Sequence, residues 1–99
     1  MRKEIDFLWD DEKARINRMK HGIRFETAAL VFDDDFRMEI PDWSHSLDEE
    51  RFITIGSAGD VLLVLFVVYT AREDGIRLIS ARKATKKERE LYYAGKDYT

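Results

Sequence analysis

The chain has no cysteine, one proline, five glycines and two histidines among its 99 residues. Without cysteine there is no disulfide framework and no thiolate metal site. The two histidines, His21 and His45, form no His-x3-His pair, so a structural zinc site lacks its ligands. No Gly-rich phosphate loop and no nucleophile-elbow serine occurs. The longest apolar run, Val61 to Val68, has eight residues, whereas a membrane-spanning helix needs roughly 20. No apolar segment follows "MRKEID", so no secretory signal is expected. The acidic run Asp33-Asp34-Asp35 lacks the spacing of a calcium loop and reads as a solvated helix end. These absences predict a soluble, cytoplasmic protein with no cofactor, no metal and no membrane contact. Any chemistry it performs has to run on Lys, Arg, His, Glu and Tyr.

What is present is enough for one core: 44% of residues are apolar, and a chain of this length is one domain, residues 1–99. The net charge of −3 conceals a division. Residues 1–50 carry 8 basic against 14 acidic side chains, whereas residues 51–99 carry 9 against 6. The C-terminal half is therefore expected to form a cationic face.

Periodicity orders the elements. "EIDFLW" alternates as a half-buried strand. "DDEKARINRMKHG" reads as a helix capped by Asp10 and closed by Gly22, with Lys20 and His21 in the last turn. "FETAALVF" predicts a second short helix with Ala28, Ala29 and Phe32 inward. "FRMEIP" predicts a strand that Pro41 confines to an edge. After a polar loop, "RFITIG" alternates again. The run from Val61 to Thr70 is apolar on both faces, the mark of a central strand. "EDG" is a hairpin turn and "IRLISAR" its return. In "TKKERELYY", Thr85 and Glu88 form a capping box, and Gly95 is expected to end the helix. The predicted fold is α+β: an N-terminal strand, two helices, a four-stranded mostly antiparallel meander and a C-terminal helix, with the helices on one face of the sheet.

Three constellations carry chemistry. The first is the hairpin with Arg72, Arg77 and Arg82. A two-residue turn at Asp74-Gly75 would set Arg72 opposite Arg77 and Tyr69 opposite Ser80, and would send Arg82 to the other face with Tyr69. Such guanidiniums either bind phosphate oxygens or pair with Glu73, Asp74 and Glu88 at the rim. The second is "MKHG", where Lys20 and His21 sit at a helix C-terminus: a titratable imidazole beside a cation, or simply charges that complement the helix dipole. The third is "HSLDEER", which brings His45, Glu49, Glu50 and Arg51 from a loop into a strand.

The segments "FLWDDEKARINRMKHGIRFETAALVF", "HSLDEERF", "YTAR" and "IRLISARKATKKERELY" together resemble the BrnT family of type II toxins. One departure is Asp11, where the family often has proline after Trp-Asp. The resemblance implies a RelE-like fold and a metal-independent ribonuclease that arrests translation and growth. It further implies neutralisation by a cognate BrnA-like antitoxin with a ribbon-helix-helix domain, through which alone the complex contacts operator DNA. A dimer of toxin–antitoxin pairs fits the pattern. On this reading Lys20, His21, His45, Glu50, Arg72, Arg77 and Arg82 are the catalytic candidates. Arg51, Tyr69, Lys83, Arg89 and Tyr92 are the RNA-binding candidates. A non-catalytic RNA- or ribosome-binding module would use the same basic face.

Overall fold

The computed structural model describes residues 5–43, 50–59 and 63–97. Its elements in chain order are β1 (Phe7–Leu8), α1 (Asp11–His21), α2 (Phe25–Ala29), a 3-10 turn (Leu30–Asp33), β2 (Met38–Pro41), β3 (Phe52–Ser57), β4 (Val64–Arg72), β5 (Gly75–Lys83) and α3 (Lys86–Asp97). They form an α+β structure around one mixed sheet in the order β1-β5-β4-β3-β2. β2 to β5 each pair antiparallel with the next strand in the chain, while β1 runs parallel to β5. Pro41 lies in edge strand β2, where its missing N–H costs no ladder bond. Residues 61 and 62 of the anticipated central strand lie outside the described residues.

Local signals set the helix ends. Asp10 Oδ1 accepts the N–H groups of Glu12 at 2.8 Å and Lys13 at 3.2 Å. Gly22 closes α1 in the left-handed region, φ 71°. Thr85 Oγ1 accepts from Glu88 N at 3.2 Å and Glu88 Oε1 accepts from Thr85 N at 2.8 Å, a complete capping box. α3 then runs through Gly95 to Asp97 instead of stopping. A glycine costs a helix only about 1 kcal/mol, and α3 is held from below by buried Tyr92.

The helices do not share one side of the sheet. Leu65, Val67 and Tyr69 of β4 point into a core with Ile23, Phe25, Ala28, Val31 and Phe32 from the α1–α2 region. The alternate residue Val64 packs with Ile55, Ala84 and Tyr92, with half-buried Phe66 against them, so α3 lies on the opposite face. A strand that is apolar on both faces requires cover on both, and α3 supplies the second layer.

α1 is attached by an unusual route. Asn17 is its only buried residue; Met19 is 74% exposed and Ile16 40%. The Asn17 side chain accepts from Ala81 N at 3.0 Å and donates to Ala81 O at 2.9 Å and Ile23 O at 3.0 Å. β1 covers the β5 edge only at Ile76 and Arg77, and the Asn17 amide takes the place of a neighbouring strand further along. At the hairpin, Gly75 has φ 141°, and a Cβ there would lie 2.2 Å from Asp6 O. Only glycine lets β1 come close enough for Ile76 N to reach Asp6 O at 2.9 Å.

On the other side of the molecule Asp34 ties three segments together. Its carboxylate accepts from Ser57 N at 2.9 Å, Phe36 N at 3.0 Å and the Tyr92 hydroxyl at 2.5 Å. Burial alone pushes the Asp34 carboxyl up, but these hydrogen bonds together outweigh it and hold it below its ordinary value of 3.8. Burial and the bond to Asp34 push the Tyr92 phenol well above its usual range.

Two outcomes are expected. Asn17→Ala strands the Ala81 N–H, Ala81 C=O and Ile23 C=O groups, and should cost about 2–4 kcal/mol in a urea titration. The Asp34 carboxylate stabilises the fold fully above its ordinary pKa, and that contribution disappears as pH falls through the lower folded value. Between about pH 5 and about pH 2.5, wild type should therefore lose more stability than Asp34→Asn, read from urea midpoints at each pH.

Candidate functional site

The register of β4 and β5 decides which charges meet. β4 ends at Arg72 opposite Gly75, so the two-residue turn is Glu73-Asp74, one position before the anticipated Asp74-Gly75. Arg77 accordingly faces Thr70 and not Arg72, and Tyr69 faces Leu78 and not Ser80. Val68 pairs with Ser80, which leaves Ile79 as an extra residue, a β-bulge. Strict alternation would send Arg77 and Arg82 to opposite faces. The bulge reverses that: Arg82 faces Phe66, Ser80 faces Val68, Arg77 faces Thr70, and all three β4 partners share one face together with Arg72. The placement of Arg82 on the face of Tyr69 is thus corrected, because Tyr69 belongs to the α1–α2 core.

α3 covers the end of this face near Val64 and Ala84. The remainder carries Arg72, Arg77, Ser80 and Thr70. Arg51 immediately precedes β3, and its carbonyl accepts Asp42 N at 2.8 Å, so the β2–β3 ladder runs one residue past Phe52 and sets Arg51 opposite Asp42. The Arg51 Nε is buried with no hydrogen-bond partner among the described residues.

Along the β5 edge, α1 places Lys13, Lys20 and His21 around a cleft of about 180 Å3 whose floor is Ile79 and Ser80. Ser80 belongs both to this cleft and to the arginine face. The bulge and the Asn17 bond therefore bring the "MKHG" corner and the arginine hairpin together at one residue. Nothing in the sequence singled out Ser80 or Thr70; their roles follow from the register alone.

The other candidates fall elsewhere or are already engaged. Arg82 makes two hydrogen bonds to Glu88, at 2.8 and 3.0 Å, with its guanidinium 3.9 Å from the Phe66 ring centre. It is a structural pair on the arginine face, the rim alternative for this residue. The Arg82 hydrogen bonds hold the Glu88 carboxyl below its ordinary value against the upward push of burial, and Thr85 N adds to them. Arg89 is exposed on α3 and donates to Ala84 O at 2.8 Å. Lys83 faces Leu65 in register, on the α1–α2 side. Tyr69 and Tyr92 are 6% and 1% exposed, so neither ring offers a face to a base. Burial and the hydrogen bond from its hydroxyl to Glu39 push the Tyr69 phenol far above its usual range. Glu50 is exposed in a cleft of about 200 Å3 that it shares with Arg51, Pro41, Asp42, Trp43 and Phe52. His45 and Glu49 lie outside the described residues. Among the described residues no three His, Asp or Glu side chains are grouped as metal ligands.

Chemically, the face carries arginines, and the cleft that adjoins it at Ser80 carries an imidazole and two ammonium groups. That set can hold an anion with several oxygens and move a proton near it. Residues 9–88 match a family model described as "Ribonuclease toxin, BrnT, of type II toxin-antitoxin system". No curated protein matches the chain.

Because Glu88 serves both the helix cap and Arg82, Glu88→Ala should cost about 1–2 kcal/mol of stability in chemical denaturation. Arg82→Ala should also destabilise, and the double variant should fall short of the sum of the two.

Proposed function

The chain belongs to the BrnT family of ribonuclease toxins of type II toxin–antitoxin systems, and from that premise we propose that its arginine face is the RNA-cleaving site. The family implies an RNA target and an antitoxin partner. The observation that supports the placement is the Ile79 bulge, which turns Ser80, in the cleft of Lys20 and His21, to the face that Arg72 and Arg77 share.

The reaction fits such a set without a metal. The ribose 2′-hydroxyl loses its proton and attacks the adjacent phosphorus in line. A 2′,3′-cyclic phosphate forms, the bond to the 5′-oxygen breaks, and that oxygen takes a proton. The nucleophile is part of the substrate, so no metal-bound water is required. Arg72 and Arg77 hold the phosphate and stabilise the charge that builds on its oxygens, and Arg51, in the cleft of Glu50, is a further RNA contact. Lys20 and His21 supply the proton-transfer end of the site. Glu50 and His45 are the remaining candidates on the loop side. Arg82, bound by Glu88, adds its charge to the face and keeps α3 in register.

We further propose a RelE-like fold, supported by the antiparallel pairing of successive strands β2 to β5. A BrnA-like ribbon-helix-helix antitoxin, which alone contacts operator DNA, and a dimer of toxin–antitoxin pairs complete the reading; the family match supports them. The cationic face is suited to an acidic antitoxin segment. Action in the cytoplasm, with growth arrest, follows from an RNA target. No helix among the described residues is long and apolar enough to cross a membrane.

The test is cleavage of a defined transcript by the purified chain in EDTA, with sequencing of the product ends. Cleavage should persist in EDTA, and Arg77→Ala should lower kcat/KM by about 100-fold or more. Intact RNA with retained binding would replace this proposal with a non-catalytic RNA-binding module.

A further inference from the structure

Trp43 is 80% exposed, the most exposed large apolar side chain among the described residues. An indole left in water forgoes the burial that tryptophan usually finds. The other exposed aromatic rings among these residues are engaged. Lys96 lies 5.5 Å from the ring centre of Phe36, and Tyr93 meets Tyr92 edge-on at 5.1 Å. Trp43 lines the cleft of about 200 Å3 that Glu50 and Arg51 share, with Pro41 and Phe52 as its other apolar lining. That volume is below the roughly 300–1,000 Å3 of a pocket for a whole small molecule. The cleft suits one flat group of a larger ligand.

Its place in the fold points to the ligand. β3 begins at Phe52 opposite Tyr69, and Arg77 stands opposite Thr70, the next residue of β4. The cleft and the arginine face therefore share one end of the sheet, two strand spacings or roughly 10 Å apart. RNA held by a phosphate at Arg77 has a neighbouring nucleotide within reach of Trp43.

The polar lining decides which part of that nucleotide enters. Glu50 and Asp42 bring two carboxylates, against the one guanidinium of Arg51 that stands opposite Asp42. A phosphate is repelled there, whereas an uncharged base can stack on the indole. Glu50 is exposed, and an ionised carboxylate only accepts hydrogen bonds, through two oxygens side by side. Guanine matches it, because its N1–H and 2-amino donors are adjacent on one edge. Adenine and cytosine carry a ring-nitrogen acceptor beside their amino group, and uracil flanks its one N–H with carbonyls. Each of these turns an acceptor toward the carboxylate.

We propose that the Trp43–Glu50 cleft is a base-recognition subsite that stacks a guanine on the indole and reads its pairing edge with the Glu50 carboxylate. The subsite rests on the ribonuclease reading for its RNA, and it gives the chain a preference for guanine beside the bound phosphate. Glu50 then selects the substrate instead of moving a proton.

The experiment is tryptophan fluorescence of the intact chain, titrated with short oligoribonucleotides methylated at every 2′-oxygen so that none is cut. A base stacked on an exposed indole quenches it, so an oligonucleotide with one guanine should quench wild type. Trp43→Phe should abolish the quench, and Trp9→Phe, which removes an indole packed edge-on against Phe25 at 5.9 Å, should keep it. Replacing the guanine with inosine, which lacks the 2-amino group, should weaken binding about tenfold, the loss of one hydrogen bond to a charged group. Glu50→Gln should bring the two affinities together. Trp43→Ala should weaken binding of the guanine oligonucleotide about tenfold, and Trp43→Phe should restore most of it. No quench, an equal quench in Trp43→Phe, or equal wild-type affinity for guanine and inosine would overturn the subsite. Cleavage of an unmethylated transcript in that case leaves the ribonuclease reading standing. Quenching with guanine preference but no cleavage would support the subsite and sink the ribonuclease reading. An indole shielded from acrylamide by a co-purified antitoxin, and not by RNA, would assign the cleft to the protein partner and overturn the proposal.

Discussion

The Asn17 side chain exchanges two hydrogen bonds with the backbone of Ala81, as an adjacent strand would, and a third with Ile23. α1 has little apolar surface with which to dock, so its position depends on these bonds. The same bonds pin β5 just past Ile79, where the strand gains its extra residue. Two consequences follow from one contact. The β5 edge beyond β1 is satisfied, and the C-terminal turn of α1, with Lys20 and His21, is set against Ser80. An apolar stripe could have held the helix more strongly, but it would tolerate sliding. Paired amide bonds do not.

Charge is then distributed by layers. The α1–α2 side of the sheet is a closed apolar core. On the other side α3 covers the end near Val64 and Ala84, and the arginines occupy the rest. Arg82 stands at the boundary, stacked on Phe66 and gripped by the residue that caps α3. The apolar run of β4 and the arginines around it are two requirements on one strand. Burial on both faces makes it rigid, and a rigid strand fixes the positions from which Arg72 on β4 and Arg77 on β5 project.

Whatever was decided locally could be read from the sequence. The Asp10 cap, the Gly22 terminus, the Thr85–Glu88 box and edge strand β2 with Pro41 all follow from residues within a few positions of each other. The cationic C-terminal half and the corner of Lys20 and His21 were also legible. The register was not. The turn sits at Glu73-Asp74 because Gly75 is needed where the chain of Asp6 passes, a contact across most of the sequence. Ile79 looks like any other strand residue, yet its insertion moves Arg77 to the face of Arg82. For the same reason Thr70 and Ser80 carried no signal of their own. Tyr69 and Tyr92 were candidates for RNA contact, but their rings fill cores and their hydroxyls are tied to Glu39 and Asp34. α3 lies opposite the other two helices because β4 needs cover on both sides.

The most direct measurement is a crystal structure of the chain bound to a short RNA blocked at its 2′-oxygens. The account predicts a phosphate seated on the face of Arg72 and Arg77, with the strand continuing past Ser80 toward His21. RNA lying across the α1–α2 side, or reaching the sheet only through Lys83 and Arg89, would contradict it.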